Sequence, residues 1–457
     1  MLTPPVMAAK TGNRKPKLWT LQALLKQTLQ KNPKVHQARH ELRKFKAIKQ
    51  EAFAASWWPH GSVTAIFAPS PKMQGDAVNT STPLPDAYFK FADYGFLTRF
   101  ELTLAWPLYT FGKLSFYQEA ANSGVGVGKA NLKRVKKDMV LTIKRAYYGL
   151  QYAQSVLNLL EDSEEFLEDL KGKVKTSTEK IQLQYLEAEF KARKAQAQGG
   201  LRVAQVALAR LAGVPPGKKF LLKDPELEMK SVKVRTLKAY KRLSRTHRPE
   251  FRLLQFAENA QLALLKAKQR SLLPDIFIGG FFRHGYSSVA VDQLSPFARD
   301  DFNFIEGGLF LGLRFTLDFP LKLTRIRKQQ AHYQAFRSKR RFAHLGMGIE
   351  LQKRFIELQT AEKIVRHRAK AKKSAEKWIT RIVLSYSSGF SSFKDVMAAM
   401  QANGLAQFGY LEAVYKHKLA IANLERVTGR SASRLFGGKK SSKAAPPKKG
   451  VTTKSTP

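Results

Sequence analysis

Apolar residues recur every three or four positions over long stretches of this chain. Ile143, Ala146, Leu150, Ala153, Leu157 and Leu160 form one such seam, and no proline interrupts it. Leu201, Ala204, Leu208 and Leu211 form a second, and Leu351, Phe355, Leu358 and Val365 a third. Leu405, Phe408, Tyr415, Leu419 and Ala422 form a fourth. This is the spacing of coiled-coil helices. It predicts long helices over 114–170, 181–212, 323–384 and 393–427. Elsewhere the period falls to two. His60 to Ala68 alternates. Within 96–108, Phe100, Leu102, Leu104, Trp106 and Leu108 share one face, while Arg99, Glu101, Thr103 and Ala105 share the other. Ile276 to Phe282 reads as another strand. Leu309, Leu311, Leu313, Phe315 and Leu317 then alternate with Phe310, Gly312, Arg314, Thr316 and Asp318. Side chains alternate faces along a strand, so these strands have one apolar and one polar side.

Breakers set these elements in order. Thr20 is placed to cap a helix over Trp19–Leu29, Asn32-Pro33 ends it, and a helix over Val35–Ser56 stops at Trp57-Trp58-Pro59. A loop rich in Pro, Ser, Thr, Gly and Asp covers 69–90, and a turn lies near 171–180. Gly213 and Pro215-Pro216-Gly217 form a strong stop. The order then starts again, so the chain reads as an internal duplication. The expected organisation is a leader at 1–17 and a first repeat at 18–213, with strand pair 60–108 and helical hairpin 114–212. A linker follows at 214–234. The second repeat, 235–429, carries strand pair 275–319 and helical hairpin 323–427. Residues 430–457, basic and without an acidic residue, read as a disordered tail.

Two readings of the strands stand. One is a soluble α+β protein whose amphipathic hairpins lie on helices. The other is a set of transmembrane β-barrel strands, which alternate over about 10 residues. Placement favours the barrel. Each hairpin joins short helices to rods of roughly 60 residues, about 90 Å long at 1.5 Å per residue, too long to fold back over a hairpin at their ends. A barrel has to close, because every backbone group in lipid needs a partner. Four strands are too few for a barrel, so the chain has to oligomerise; a trimer supplies about twelve. The fold class is therefore mainly α with a small β part.

Charge changes the picture less than its size suggests. The chain has 80 Lys and Arg against 35 Asp and Glu, a net +45. Such a field draws polyanions, and a basic coiled-coil protein binding nucleic acid is the rival function. It accounts for the charge but not for the paired strands or the duplication. The absence of cysteine excludes disulfides, thiolate metal sites, a cysteine nucleophile and a lipid-modified N-terminal cysteine. No apolar run is long enough for a transmembrane helix. Residues 1–9 lack the basic start and apolar stretch of a secretory signal, although Val6-Met7-Ala8 has the form of a cleavage-site tail. A missing signal and a plain leader both remain open. No carboxylate pair, nucleophile–base set or metal spacing stands out, so neither an enzyme nor a cofactor is expected.

In order, and twice over, short motifs resemble the outer-membrane efflux protein family, the TolC-like channel-tunnels of tripartite pumps and type I secretion, over roughly residues 18–430. Leu21 to Val35, LxxLLxxxLxxNPxV, is similar to the family's opening helix, with Arg248-Pro249-Glu250 as its repeat. Ser56-Trp57-Trp58-Pro59 and Ser271-Leu272-Leu273-Pro274 resemble helix-to-strand junctions. Trp106 to Lys113, WPLYTFGK, resembles the strand-to-tunnel junction, and Tyr386 to Val396 the tip between the last two rods. The resemblance implies a homotrimer in the outer membrane and its lipid, a twelve-stranded barrel continued by a twelve-helix periplasmic α-barrel. Its implied partners are a periplasmic adaptor and an inner-membrane transporter of RND or ABC type, with no nucleic acid. The channel conducts passively and is gated at the tips.

Residue by residue, Tyr386 and Asp395 match the family's gating tyrosine and first aspartate. Ser391 stands where an arginine is found, and Ala398 where a second aspartate is found. Asp395 reads equally as a helix-start carboxylate. Gly389 suits a tight turn. Pro107, Gly112 and Pro320 mark the junctions, and Trp106 and Phe319 the membrane-interface aromatics. Gly124-Val125-Gly126-Val127-Gly128-Lys129 lacks the frame of a phosphate loop and reads as a kink or close-packing point in a helix. His36 and His40 share a helix face but have no third ligand.

Overall fold

The computed structural model describes residues 18–74, 88–174, 176–215, 220–229, 232–290 and 300–436. The expected leader and most of the expected tail lie outside these. The elements run β1 (Leu18–Trp19), α1 (Leu21–Lys31), α2 (Pro33–Trp57), β2 (His60–Gln74), β3 (Tyr88–Tyr109), α3 (Lys113–Lys171), α4 (Ser177–Leu211) and β4 (Leu221–Leu222). Then come α5 (Leu237–His247), α6 (Pro249–Arg270), β5 (Asp275–Ser287), β6 (Phe304–Arg314), α7 (Phe319–Ser387), α8 (Phe393–Thr428) and α9 (Ala432–Leu435). Two helices, two strands and two long helices thus occur in each half. Contacts group the chain into two compact units. One takes residues up to Arg39, Asn131–Phe251 and Ala343 onward; the other takes His40–Ala130 and Arg252–Phe342.

In the first unit the seams meet one another. Ile143, Tyr147, Leu150 and Leu157 of α3 are buried with Leu201 and Leu208 of α4 and Leu24 of α1. Leu351 and Leu358 of α7 are buried with Ala420 and Leu424 of α8 and Tyr240 of α5. Thr20 caps α1, its hydroxyl accepting from Ala23 N at 3.2 Å. Trp19 is not the start of that helix, as the sequence suggested. It pairs in parallel with Leu222 and stacks on Phe220 at 6.0 Å, so the expected linker contributes to the core. The end of α8 is polar inside. Arg426 bonds Asp138 and Glu250, Arg248 bonds Glu350 at 2.5 Å, and Lys144 bonds Glu425. Burial pushes the Glu250 carboxyl up, but the Arg426 hydrogen bond and the charges of Arg426 and Arg248 outweigh it, and its pKa falls below the usual value. Residues 430–436, expected in the disordered tail, are instead ordered. The carboxylate of Glu425 accepts from Ala432 N, and Leu435 is fully buried beside Tyr240.

In the second unit a four-stranded antiparallel sheet has the order β2-β3-β5-β6. His60 pairs with Ala105, Tyr109 with Ile276 and Asp275 with Arg314. These pairs place the ends that join α2, α3, α6 and α7 at one end of the sheet. β2 and β3 run further than the expected 60–68 and 96–108, because 72–74 pair with 88–90 beyond a bulge at Pro71/Lys72. β6 is shifted the other way. It starts at Phe304 and stops at Arg314, short of the alternation that reaches Leu317. Its partner β5 begins at Asp275, so residues 315–318 have no strand to pair with.

The glycines of α3 break nothing. A Cβ on Gly124 meets Phe45 at 3.1 Å, and one on Gly128 meets Phe45 at 3.0 Å and the Leu42 Cα at 3.3 Å; one on Gly126 meets Phe256 at 2.5 Å. The helix continues through them while α2 and α6 press close. This is the close-packing reading, not the kink.

Candidate channel wall, junctions and tip

The register sorts the sheet into two faces. Val63, Phe67, Leu102, Leu104, Ile278, Phe282, Leu309, Leu311 and Leu313 lie on one. Most of these are exposed, Leu309 at 84%. Ser62, Thr64, Arg99, Glu101, Thr103, Arg283, Glu306 and Arg314 lie on the other, among phenylalanines. Among the described residues β2 and β6 each have one neighbour, so both outer edges of the sheet are unpaired. Burying the apolar face is worth about 25 cal/mol per Å², and among the described residues no element supplies that cover. Exposed faces and edges of this extent are stable only in lipid or against other chains.

The junctions use two different local solutions. In the first, Pro107 lies beside a register shift on the β5 side, where a residue without an N–H costs no ladder bond. Phe111 (φ 49°) and Gly112 (φ 83°) then turn the chain, and the Gly112 carbonyl accepts from Phe116 N at 3.0 Å to start α3. Lys113 pairs with Asp275, tying the start of α3 to the start of β5. In the second junction the Asp318 carboxylate lies 3.7 Å from Lys322 and 4.0 Å from Arg325, while its carbonyl receives Lys322 N at 3.0 Å. Pro320 sits in the first turn of α7, where its missing N–H is harmless. Trp106 and Phe319 are both partly exposed at this end of the sheet, and Phe319 meets Phe315 edge-on at 5.6 Å.

In the first unit the two helical hairpins are tied together at the α7–α8 turn. α7 ends in a Schellman arrangement: Phe390 N donates to Ser385 O at 2.9 Å and Gly389 N to Tyr386 O at 3.0 Å, with Gly389 at φ 83°. Tyr386 is buried against Phe393, Leu167, Leu170 and Leu183. Its hydroxyl donates to the Lys173 carbonyl at 3.3 Å and to Glu179 at 3.4 Å. Burial, and then the Glu179 charge, raises its pKa. Asp395 is elsewhere engaged. It forms a capping box with Ser392: Asp395 N donates to Ser392 Oγ at 3.3 Å, and Ser392 N and Oγ donate to its carboxylate at 3.0 and 2.6 Å. Those bonds, with Lys394, hold its carboxyl below the usual range. The structure therefore brings Tyr386 to Glu179 and Lys173, not to Asp395. Glu179 was missed because its own motif, Thr176-x-x-Glu179, reads as the capping box that it also forms.

No protein-family model and no curated protein matches the sequence. Solved structures do match, over nearly the whole chain. The outer membrane protein VceC from Vibrio cholerae is 17% identical, with TM-score 0.68 over 90% of this chain and 96% of that one. The Campylobacter jejuni outer membrane channel CmeC gives 14% and 0.70 over 93% and 88%. The open state of the Neisseria gonorrhoeae outer membrane channel MtrE gives 16% and 0.72 over 92% and 91%. The chain has the outer-membrane channel fold. The resemblance carried by its short motifs thus holds in three dimensions, where sequence identity is low. The fold is mainly helical with a small sheet, as the periodicity indicated.

Proposed function

We propose that this protein is one protomer of an outer-membrane export channel, which conducts substrate passively from a periplasmic adaptor and inner-membrane transporter to the exterior. The sheet carries the reading: its largely apolar face, its polar face and the two edges unpaired among the described residues are what a barrel segment needs. Ring closure joins β6 of one protomer to β2 of the next, a heterologous contact that closes as a homotrimer. The first unit supports the same closure. Away from the tip, where Tyr386 of α7 reaches Glu179 of α4, its side-chain contacts run α4–α3–α8–α7, with α4 and α7 outermost. Each exposes an apolar stripe: Ile181, Tyr185, Val203 and Val206 on α4, and Leu345, Ile349, Ile356 and Ile364 on α7.

The hairpin turn at Gly389 is the adaptor-facing, gated end. Phe390, 87% exposed, offers an apolar contact there, and the Tyr386 bonds hold the two hairpins together in the closed state. Because the chain has no cysteine, one residue changed to cysteine in β2 and one in β6 form a clean test. Oxidation of the membrane-extracted protein should give a covalent ring that runs as a trimer on a denaturing gel. A product no larger than one chain, across a set of registers, removes the closure and with it the barrel. Outer-membrane fractionation separates this reading from that of a basic nucleic-acid-binding protein in the cytosol.

A further inference from the structure

The polar face of β5 and β6 is an ordered array of phenylalanine, glycine and arginine. Phe277 pairs across the strands with Gly312, Gly279 with Phe310, Phe281 with Gly308 and Gly285 with Phe304. Three of the glycines have no room for a Cβ. One on Gly279 meets the Phe310 ring at 2.3 Å, one on Gly312 the Phe277 ring at 2.6 Å, and one on Gly285 the Phe304 ring at 2.5 Å. Each of these rings covers the glycine opposite. Three guanidinium groups sit by the rings: Arg99 at 5.9 Å from Phe304, Arg283 at 5.3 Å from Phe281 and Arg314 at 4.9 Å from Phe277.

Covering glycine accounts for the placing of the rings, but it does not account for the arginines. Two of the three have other partners. Arg283 lies 3.8 Å from Glu306, and Arg99 donates to the Asp301 carbonyl at 3.2 Å. Arg314 is exposed and, among the described residues, has no carboxylate within ion-pair distance. Asp275, opposite it in the ladder, is taken by Lys113, so this group carries a net positive charge. Phe277 and Phe310 meet edge to face at 6.1 Å beside it, and Phe310 is 43% exposed. A guanidinium over a ring still has N–H groups at its edge to give to an oxyanion.

We propose that Arg314, Phe277 and Phe310 form a binding site for amphiphilic aryl anions, small molecules with a flat apolar body and a sulfonate, carboxylate or phosphate. The ring pair takes the body, and Arg314 takes the charge. The inference rests on the channel reading, in which this face lines the lumen and three copies of the site ring it.

The test uses the full chain in planar lipid bilayers. Unblocked current from the native protein establishes the channel; if none appears, the channel reading fails before this one is reached. Naphthalene-2-sulfonate, 2-naphthylmethylammonium and sulfate are then added in turn. The sulfonate should block at concentrations where the other two do not. Arg314→Gln should raise its half-blocking concentration about tenfold, and Phe310→Leu several-fold. Arg337→Gln, an exposed cation further along α7, should leave it unchanged. Equal block by the naphthyl cation overturns the proposal. So does unchanged sulfonate block in whichever of Arg314→Gln and Phe310→Leu conducts.

Discussion

Replacing Gly126 by alanine tests how the second unit is packed. The residue is buried inside α3, nearer its start than its end. A Cβ there meets Phe256 Cγ at 2.5 Å, Cδ1 at 2.6 Å and Cδ2 at 2.9 Å. Cγ is the root of the ring, so spinning the ring does not move it. Relief needs a new χ1 or a wider gap between α3 and α6. Overpacking of this kind costs about 1–3 kcal/mol. In the opposite direction, alanine is better than glycine in a helix by about 1 kcal/mol. The net is a destabilisation of roughly 0–2 kcal/mol, small enough to need a control. Gly404 in α8 supplies it, since nothing lies within 4 Å of a Cβ there. Gly404→Ala keeps the helix gain without the clash. The two variants should therefore differ by about 1–3 kcal/mol, with the helix contribution cancelled. Adding Phe256→Leu to Gly126→Ala should recover part of the loss and give a measurable coupling. The assay is denaturation followed by helical circular dichroism, at one detergent and protein concentration and with oligomeric state checked. If Gly126→Ala proves as stable as Gly404→Ala, the glycines are not there to let the helices approach, and the reasoning is refuted.

Other outcomes follow from the same geometry. Tyr386→Phe removes two long hydrogen bonds, worth at most about 1 kcal/mol together; the fold should survive, and bilayer recordings should show more open time if these bonds latch the tip. Asp395→Ala and Ser392→Ala should each cost about 1 kcal/mol, and the double variant little more, since both break one capping box; additive losses would separate the two residues. Leu435→Ala should cost about 2–5 kcal/mol, measured by denaturation, because the side chain is fully buried; a disordered tail would give no loss. Glu250 has a folded pKa below its ordinary 4.5, so its contribution is present above that value and is lost as pH falls through the lower folded pKa. Glu250→Gln should be less stable at neutral pH and should show a flatter loss of stability in acid titration.

What could be read from the sequence was whatever a local period or a single breaker decides. The seam at Ile143–Leu157 and the alternation at Phe100–Trp106 each lie within one element, and both fell where expected. Boundaries set by a distant partner were not legible. β6 stops at Arg314 because β5 starts at Asp275, although the alternation continues to Leu317. Trp19 and Leu222 pair over two residues, too few for any period. Tyr386 was found by its motif, but its partner Glu179 was not. They lie 207 positions apart, and Glu179 already had a complete local role in its capping box. Leu435 was hidden by the composition of the residues that follow it.

The charge also divides on physical grounds. Several carboxylates are claimed by cations of neighbouring elements: Glu250 and Asp138 by Arg426, Glu425 by Lys144, Glu258 by Arg340, and Asp275 by Lys113. With 80 cations and 35 acids, at least 45 cations have no acid of the chain's own. Those on exposed helix faces are held apart by water and salt, and each contributes little. Arg314 differs because it lies on a sheet face whose rings exclude water on one side, beside a carboxylate already paired with another residue. A cation placed that way is less screened than one on an open helix, so it attracts a passing anion more strongly than total charge alone implies. On the proposed channel reading, Arg314 over Phe277 therefore weighs more in selectivity than its share of the total charge, while cations on exposed helix faces act mainly on solubility and on association with anionic surroundings.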